Sequence, residues 1–314
     1  MRRFLTSPFF LVAALAVVIA LLPAFLLSNF YMRIAALVFI NALAVLGLNL
    51  LMGFAGQVSL GHAGFFGIGA YAVALGPVYL GLPSWASLLG GTAVSALLAF
   101  IVGRPILRLS GYYLAIATLG MGMLVAMVVS NEANITGGPN GMEVGRLVLF
   151  GWRLSSPVSW YWISGVSLVI GALIVTNLIN SPTGRALRSI HDSEIAARVL
   201  GIDVARYKLF AFVFSAIFTS IAGSYLVLLD GFVTPNTASF LLSIEFVVMA
   251  VLGGLGSILG SFIGAAILVI LPQALTVFHA YEHVVLGAII VVFLIFLPAG
   301  IVPAVASLLR RKLA

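Results

Sequence analysis

Apolar runs of roughly twenty residues, nearly free of charge, follow one another from one end of this 314-residue chain to the other. Ten of them fit, at roughly 9–28, 33–52, 58–81, 85–103, 111–130, 158–180, 209–229, 240–258, 260–278 and 284–302. A helix of that length matches the hydrocarbon thickness of a bilayer. The runs are continuous and do not alternate, which argues for helices over a barrel. The expected fold class is therefore an all-α polytopic membrane protein with about ten transmembrane helices, forming one transmembrane domain over 1–314. Only 7% of residues are charged, against about 25% in an ordinary soluble domain, and this composition leaves no room for a water-soluble core. Met1-Arg2-Arg3 followed by an apolar run imitates a signal peptide. The run from Phe9 to Leu27 exceeds a usual signal-peptide core and no polar domain follows, so it reads as a retained first span.

Basic residues orient the spans. With both termini in the cytoplasm, the inner loops collect twelve Lys and Arg residues, and only Arg33, Arg146 and Arg153 fall outside. Such a bias follows the positive-inside rule. The net charge of +7 is spread over short loops, so it is not a nucleic-acid footprint. The chain has no cysteine, which excludes disulfides and thiolate metal sites.

Two stretches differ from plain lipid-facing helix. One runs Gly53-Phe54-Ala55-Gly56-Gln57-Val58-Ser59-Leu60-Gly61-His62, and the other Gly253-Gly254-Leu255-Gly256-Ser257. Dense glycine allows close helix approach, or breaks a helix where it lines a cavity. The two stretches sit at the same end of spans running in the same direction, as copies of a weak internal repeat would, with a transport path between them. The segment 131–157 is the longest external loop, with a turn signal at Gly137-Gly138-Pro139-Asn140-Gly141. Trp152, Trp160, Tyr161 and Trp162 fall where an aromatic belt is expected.

The segment 181–208 is the one polar island, holding five of the fifteen basic residues and three of the eight acids. Pro182 suits a helix start, Ser193 can cap a second helix from Glu194, and Gly201 suits its stop. Ala196, Ala197 and Leu200 are expected to form an apolar stripe, with Glu194 and Arg198 paired at i, i+4 beside Arg185 and Arg188. A stripe of small residues suits a groove in a protein partner better than it suits lipid.

Glu194-Ile195-Ala196-Ala197-Arg198-Val199-Leu200-Gly201 resembles the E-x-A-A-x-x-x-G loop by which ABC importer permeases meet their ATPases. Leu48 through Ala63, Tyr113 through Gly120 with Ile135 through Gly141, and Val251 through Ser257 are similar, in order and spacing, to the branched-chain amino acid permease family of LivM type. The resemblance covers about residues 40–275. It implies a subunit of a binding-protein-dependent importer in a bacterial inner membrane, with no catalytic residue or cofactor of its own. A second, LivH-like permease, two cytoplasmic ATPases holding ATP and Mg, and a periplasmic solute-binding protein would complete the machine. The solute would be a branched-chain or other hydrophobic amino acid, with urea or a short amide as the alternative. No G-x-x-x-x-G-K-[ST] occurs in the chain, so energy would have to come from elsewhere. One departure is that relatives often carry an acid and then a base shortly after the Thr-Leu-Gly stretch, where Met121 to Ala126 is wholly apolar.

Within the spans, Glu245 is either a path-lining carboxylate or an interface acid. Gln57, Ser59 and His62 either line a path or satisfy the backbone of a broken helix. Thr118 reads better as a helix threonine bonded back to its own turn. An autonomous transporter or channel would need intramembrane charge, for which Glu245 is the candidate. His279-Ala280-Tyr281-Glu282-His283 matches an inverted zinc-protease pattern. No carboxylate follows it in the chain, so a polar turn is expected there and no metal.

Overall fold

The computed structural model describes residues 8–25, 28–149, 152–154, 156–275, 282–305 and 307. Every one of the ten apolar runs contains a helix. They are α1 (Pro8–Leu21), α2 (Asn29–Asn49), α3 (His62–Leu80), α4 (Ser84–Ile106), α5 (Tyr112–Asn131), α6 (Pro157–Asn180), α9 (Val204–Asp230), α10 (Phe240–Gly253), α11 (Ile258–Leu275) and α12 (Glu282–Phe296). Two short helices, α7 (Pro182–Asp192) and α8 (Glu194–Val199), occupy the polar island between α6 and α9.

Among the described residues, seven helices are long and apolar enough to cross a membrane: α2 with its continuation to Phe54, α3, α4, α5, α6, α9 and α11. Ten helices thus fall in the ten expected runs, and seven of them reach spanning length among the described residues. At 14 residues, α10 is short because it stops at Gly253 and not near 258, where the second glycine-rich stretch departs from helix.

Burial orders the bundle. The most apolar window of α2 is 78% buried, against 28% for those of α4, α5 and α11. So α2 runs through the middle, packed by α6, α9 and α11, while α9 packs on α3 and α4. Small residues let α9 come close. A Cβ on Gly223 would lie 1.9 Å from the Phe66 carbonyl oxygen, a distance only glycine permits. Helix starts are set by hydroxyls: Ser28, Ser156 and Ser239 each accept a backbone N–H at the head of α2, α6 and α10. At one end of the bundle Arg33 and Asp230 join α2 to α9 at 2.9 Å.

The segment after α5 folds as the glycines require, through a turn at Gly137 to Gly141. β1 (Met142–Glu143) then pairs antiparallel with β4 (Phe232–Val233), and β2 (Leu147–Leu149) with β3 (Trp152–Leu154). The expected aromatic belt fails for two members. Trp160 and Tyr161 are fully buried, with the Tyr161 hydroxyl donating to the Ile19 carbonyl at 2.6 Å. Only helix packing could place them, since α6 turns this face inward toward α1 and α2. Trp162 is exposed.

Candidate functional site

The centre of interest is where α2 ends. Its last turn widens into a π-helical segment, Leu50–Phe54, and residues 55–61 are not helical before α3 begins at His62. Gly56, at φ +67°, reverses the chain there, a backbone conformation that side chains resist. A break at this depth leaves backbone groups without helical partners, and each must be paired. The Leu60 N–H donates to the Thr118 hydroxyl at 3.1 Å, and the Ala63 N–H to the Ser243 hydroxyl at 3.0 Å. Thr118 also donates to its own helix at the Ala115 carbonyl. Buried His62 lies between two hydroxyls, with Nδ1 2.8 Å from Ser59 Oγ and Nε2 2.6 Å from Ser215 Oγ. Thr118 and Ser243 thus pair backbone groups of the broken helix, while Ser59, His62 and Ser215 bond side chain to side chain.

The second glycine-rich stretch meets the first directly. A Cβ on Gly53 would lie 2.1 Å from the Gly256 nitrogen, so the two breaks abut backbone to backbone. Asn49, which the sequence reading missed, holds the junction. Its side-chain amide donates to the Ser257 carbonyl and Ser261 hydroxyl, both at 2.9 Å, with a longer contact to the Gly254 carbonyl, and its oxygen accepts the Gly256 N–H at 2.8 Å. An asparagine next to a glycine-rich stretch at the end of an apolar run was the available signal.

The polar island lies against the first break. Ser181 and Ser193 cap α7 and α8 through their hydroxyls, and Gly201, at φ +80°, ends the second as expected. Three side chains reach across. His191 sits over Gly56, where a Cβ would come within 3.2 Å of its ring. The Arg188 guanidinium lies 5.9 Å from the Phe54 ring centre. Glu194 takes a hydrogen bond from the Gln57 amide at 3.3 Å and carries the ammonium of buried Lys208 on the same oxygen. The expected Arg198 partner is present but loose, at 3.9 Å and 69% exposed. Lys208 was not singled out from the sequence, although it is one of only two lysines.

The expected apolar stripe is corrected. Ala197 alone of the three is buried, packed with Ile190 and Val204, while Ala196 and Leu200 face outward. Ile195 (79% exposed), Val199 (82%) and Leu200 (74%) project from α8. The bare face is thus built of long aliphatic side chains, and the small one is the chain's own packing surface. Ile190, Ala197 and Val204 recur every seven residues, a spacing that marked the inward side. Arg185, Arg188 and Arg198 share the exposed surface. Glu194 turns inward, to Gln57 and Lys208.

Glu245 is exposed on α10. A cavity of about 940 Å³ between α3, α4 and α5 is lined by Ile68, Tyr71, Leu75, Val94, Leu124 and Val128 among others, and by none of the residues anticipated for a path. His279 lies outside the described residues, and no group of three or more potential metal ligands occurs among the described ones.

Comparison with known proteins follows the same lines. Residues 30–294 match the family model described as branched-chain amino acid transport system / permease component. The chain is 35% identical to the high-affinity branched-chain amino acid transport system permease protein LivM of Salmonella typhimurium, over 96% of this chain and 76% of that protein. The Escherichia coli LivM gives the same figures. Similarity to the Salmonella typhimurium LivH permease is lower, 24% over 83% of this chain and 90% of the relative. No solved structure gives a significant match.

Proposed function

The chain belongs to the family of branched-chain amino acid transport permease components, and we propose that it is the LivM-type subunit of a binding-protein-dependent importer for branched-chain amino acids. It would work with a LivH-like permease, two ATPases that bind ATP and Mg, and a solute-binding protein, in the inner membrane with α7 and α8 in the cytoplasm. The twelve-to-three distribution of basic residues supports that orientation.

One observation carries the mechanism. α8 presents Ile195, Val199 and Leu200 outward, while from the same helix Glu194 grips Gln57 in the broken segment and Lys208 at the head of α9. A partner seated on the aliphatic face, by helix-in-groove recognition, would push on a helix already fastened to two membrane elements. Movement of an ATPase would then reach the non-helical 55–61 segment and α9 together. Non-helical backbone and abutting glycines have discrete packings and little intermediate give, which suits rocking between two arrangements.

The test is co-purification of the full chain from its own membrane, with radiolabelled leucine uptake in proteoliposomes. An ATPase and a second permease recovered together, with ATP-dependent leucine uptake, is the expected result. The same partners without leucine uptake would retain the machine and transfer the cargo assignment to another small solute. Transport by the chain alone without ATP would overturn the importer reading.

A further inference from the structure

At the end of the bundle that carries the polar island, a cavity of about 700 Å³ opens between the last turn of α4 and the first turn of α9. Its wall is divided. Phe100, Leu107 and Leu209 give an apolar side, while Arg104, Arg108 and Arg206 give a cationic one. Arg198 and Lys208 also line it, but both are engaged with Glu194. Among the described residues no carboxylate pairs with Arg104, Arg108 or Arg206. The single acid in the lining, Asp203, accepts the Arg206 backbone N–H at 3.1 Å as the cap of α9.

Position decides what such a pocket can take. Both flanking helices are long and apolar enough to span a bilayer, and the arginines lie in or just beyond their terminal turns, at headgroup level. The face of α4 leading away from the pocket, with Leu97 and Ile101 both 58% exposed, is bare of other helices among the described residues. The Arg104 guanidinium lies 4.1 Å from the Phe100 ring centre, a cation–π contact that aligns the charge at the border between the two walls. Arginine forks suit phosphate oxygens, and a pocket that is cationic on one side and apolar on the other fits an amphiphile, not a free ion.

The geometry points to a binding site for the phosphodiester headgroup of an anionic phospholipid, held by Arg104, Arg108 and Arg206 with its glycerol and first methylenes against Phe100, Leu107 and Leu209. This inference rests on membrane residence alone and not on the import reading, so either can fail without the other. A lipid there would brace the start of α9 beside Lys208.

The experiment is native mass spectrometry of the full chain, purified with its accompanying subunits, after exchange into detergent containing phosphatidylglycerol or phosphatidylcholine. Wild type is expected to retain phosphatidylglycerol and to release phosphatidylcholine, with millimolar inorganic phosphate failing to displace the lipid. The triple variant R104Q/R108Q/R206Q should bind phosphatidylglycerol roughly a hundredfold more weakly, the combined effect of three interfacial charges. Equal retention of the two lipids by wild type would overturn the proposal without recourse to any variant. Displacement by inorganic phosphate would show a soluble-anion site and also overturn it. So would undiminished phosphatidylglycerol binding in a well-folded triple variant, or lipid found on the separated chain but never on the assembled complex.

Discussion

The ammonium of Lys208, with its side chain only 2% exposed, rests on the carboxylate of Glu194, joining the second turn of a membrane-spanning helix to the six-residue helix that carries the outward aliphatic face. Glu194 is itself 29% exposed and also holds Gln57. A polar contact of this kind at a membrane end orients its neighbours more than it stabilises them.

Lys208→Met is expected to lower leucine uptake roughly tenfold in a reconstituted transporter, an effect of about 1.4 kcal/mol, and to lower the uptake obtained per ATP hydrolysed. Arg198→Met should change either quantity little, because a loose, exposed pair contributes at most about 1 kcal/mol. Parallel measurement of uptake and ATP hydrolysis checks both. Equal effects of the two substitutions would remove Lys208 from the coupling path.

Val199→Asp should leave the chain folded and membrane-inserted, since that side chain is 82% exposed, yet abolish recovery of the ATPase on purification. Ala197→Arg is expected to behave differently. Its site is fully buried against Ile190 and Val204, so it should reduce the folded yield itself, as an unpaired buried charge does. Size-exclusion profiles alongside pull-down separate the two failures.

Gly53→Ala should destabilise the bundle by about 1–3 kcal/mol, because the new methyl meets the Gly256 backbone and that backbone has no side-chain freedom to yield. Gly90→Ala is the matched control. Nothing lies within 4 Å of a Cβ there, so no loss is expected. Thermal unfolding in detergent should show a depressed midpoint for the first variant only.

Asn49→Leu leaves the Gly256 N–H without its acceptor, while the Ser257 carbonyl keeps the Ser261 N–H. An orphaned buried polar group costs about 1–3 kcal/mol, so a loss of that order or more is expected in the same melting assay. Asn49→Asp should keep the acceptor for Gly256 and lose the donor for Ser257 and Ser261, giving a similar loss. A midpoint equal to wild type in both would mean that the junction between the glycine-rich breaks is held by packing alone.

Local chemistry was legible in the sequence. Runs without charge can only be helices in lipid, hydroxyls and prolines mark where helices start, and Gly201 marks where α8 stops; each depends on residues adjacent in the chain. What the tertiary structure alone decided are the relationships that join distant segments. Asn49 and Gly256 are 207 residues apart, and Gln57 and Glu194 are 137 apart, so no periodicity records either pair. The inward turn of Ala197 and the burial of Trp160 follow from which neighbour each helix meets. In a chain this uniformly apolar, hydrophobic pattern cannot distinguish the lipid-facing side of a helix from the protein-facing one. That distinction comes from packing, and with it comes the fastening of a polar loop to the broken helix through Glu194 and Gln57.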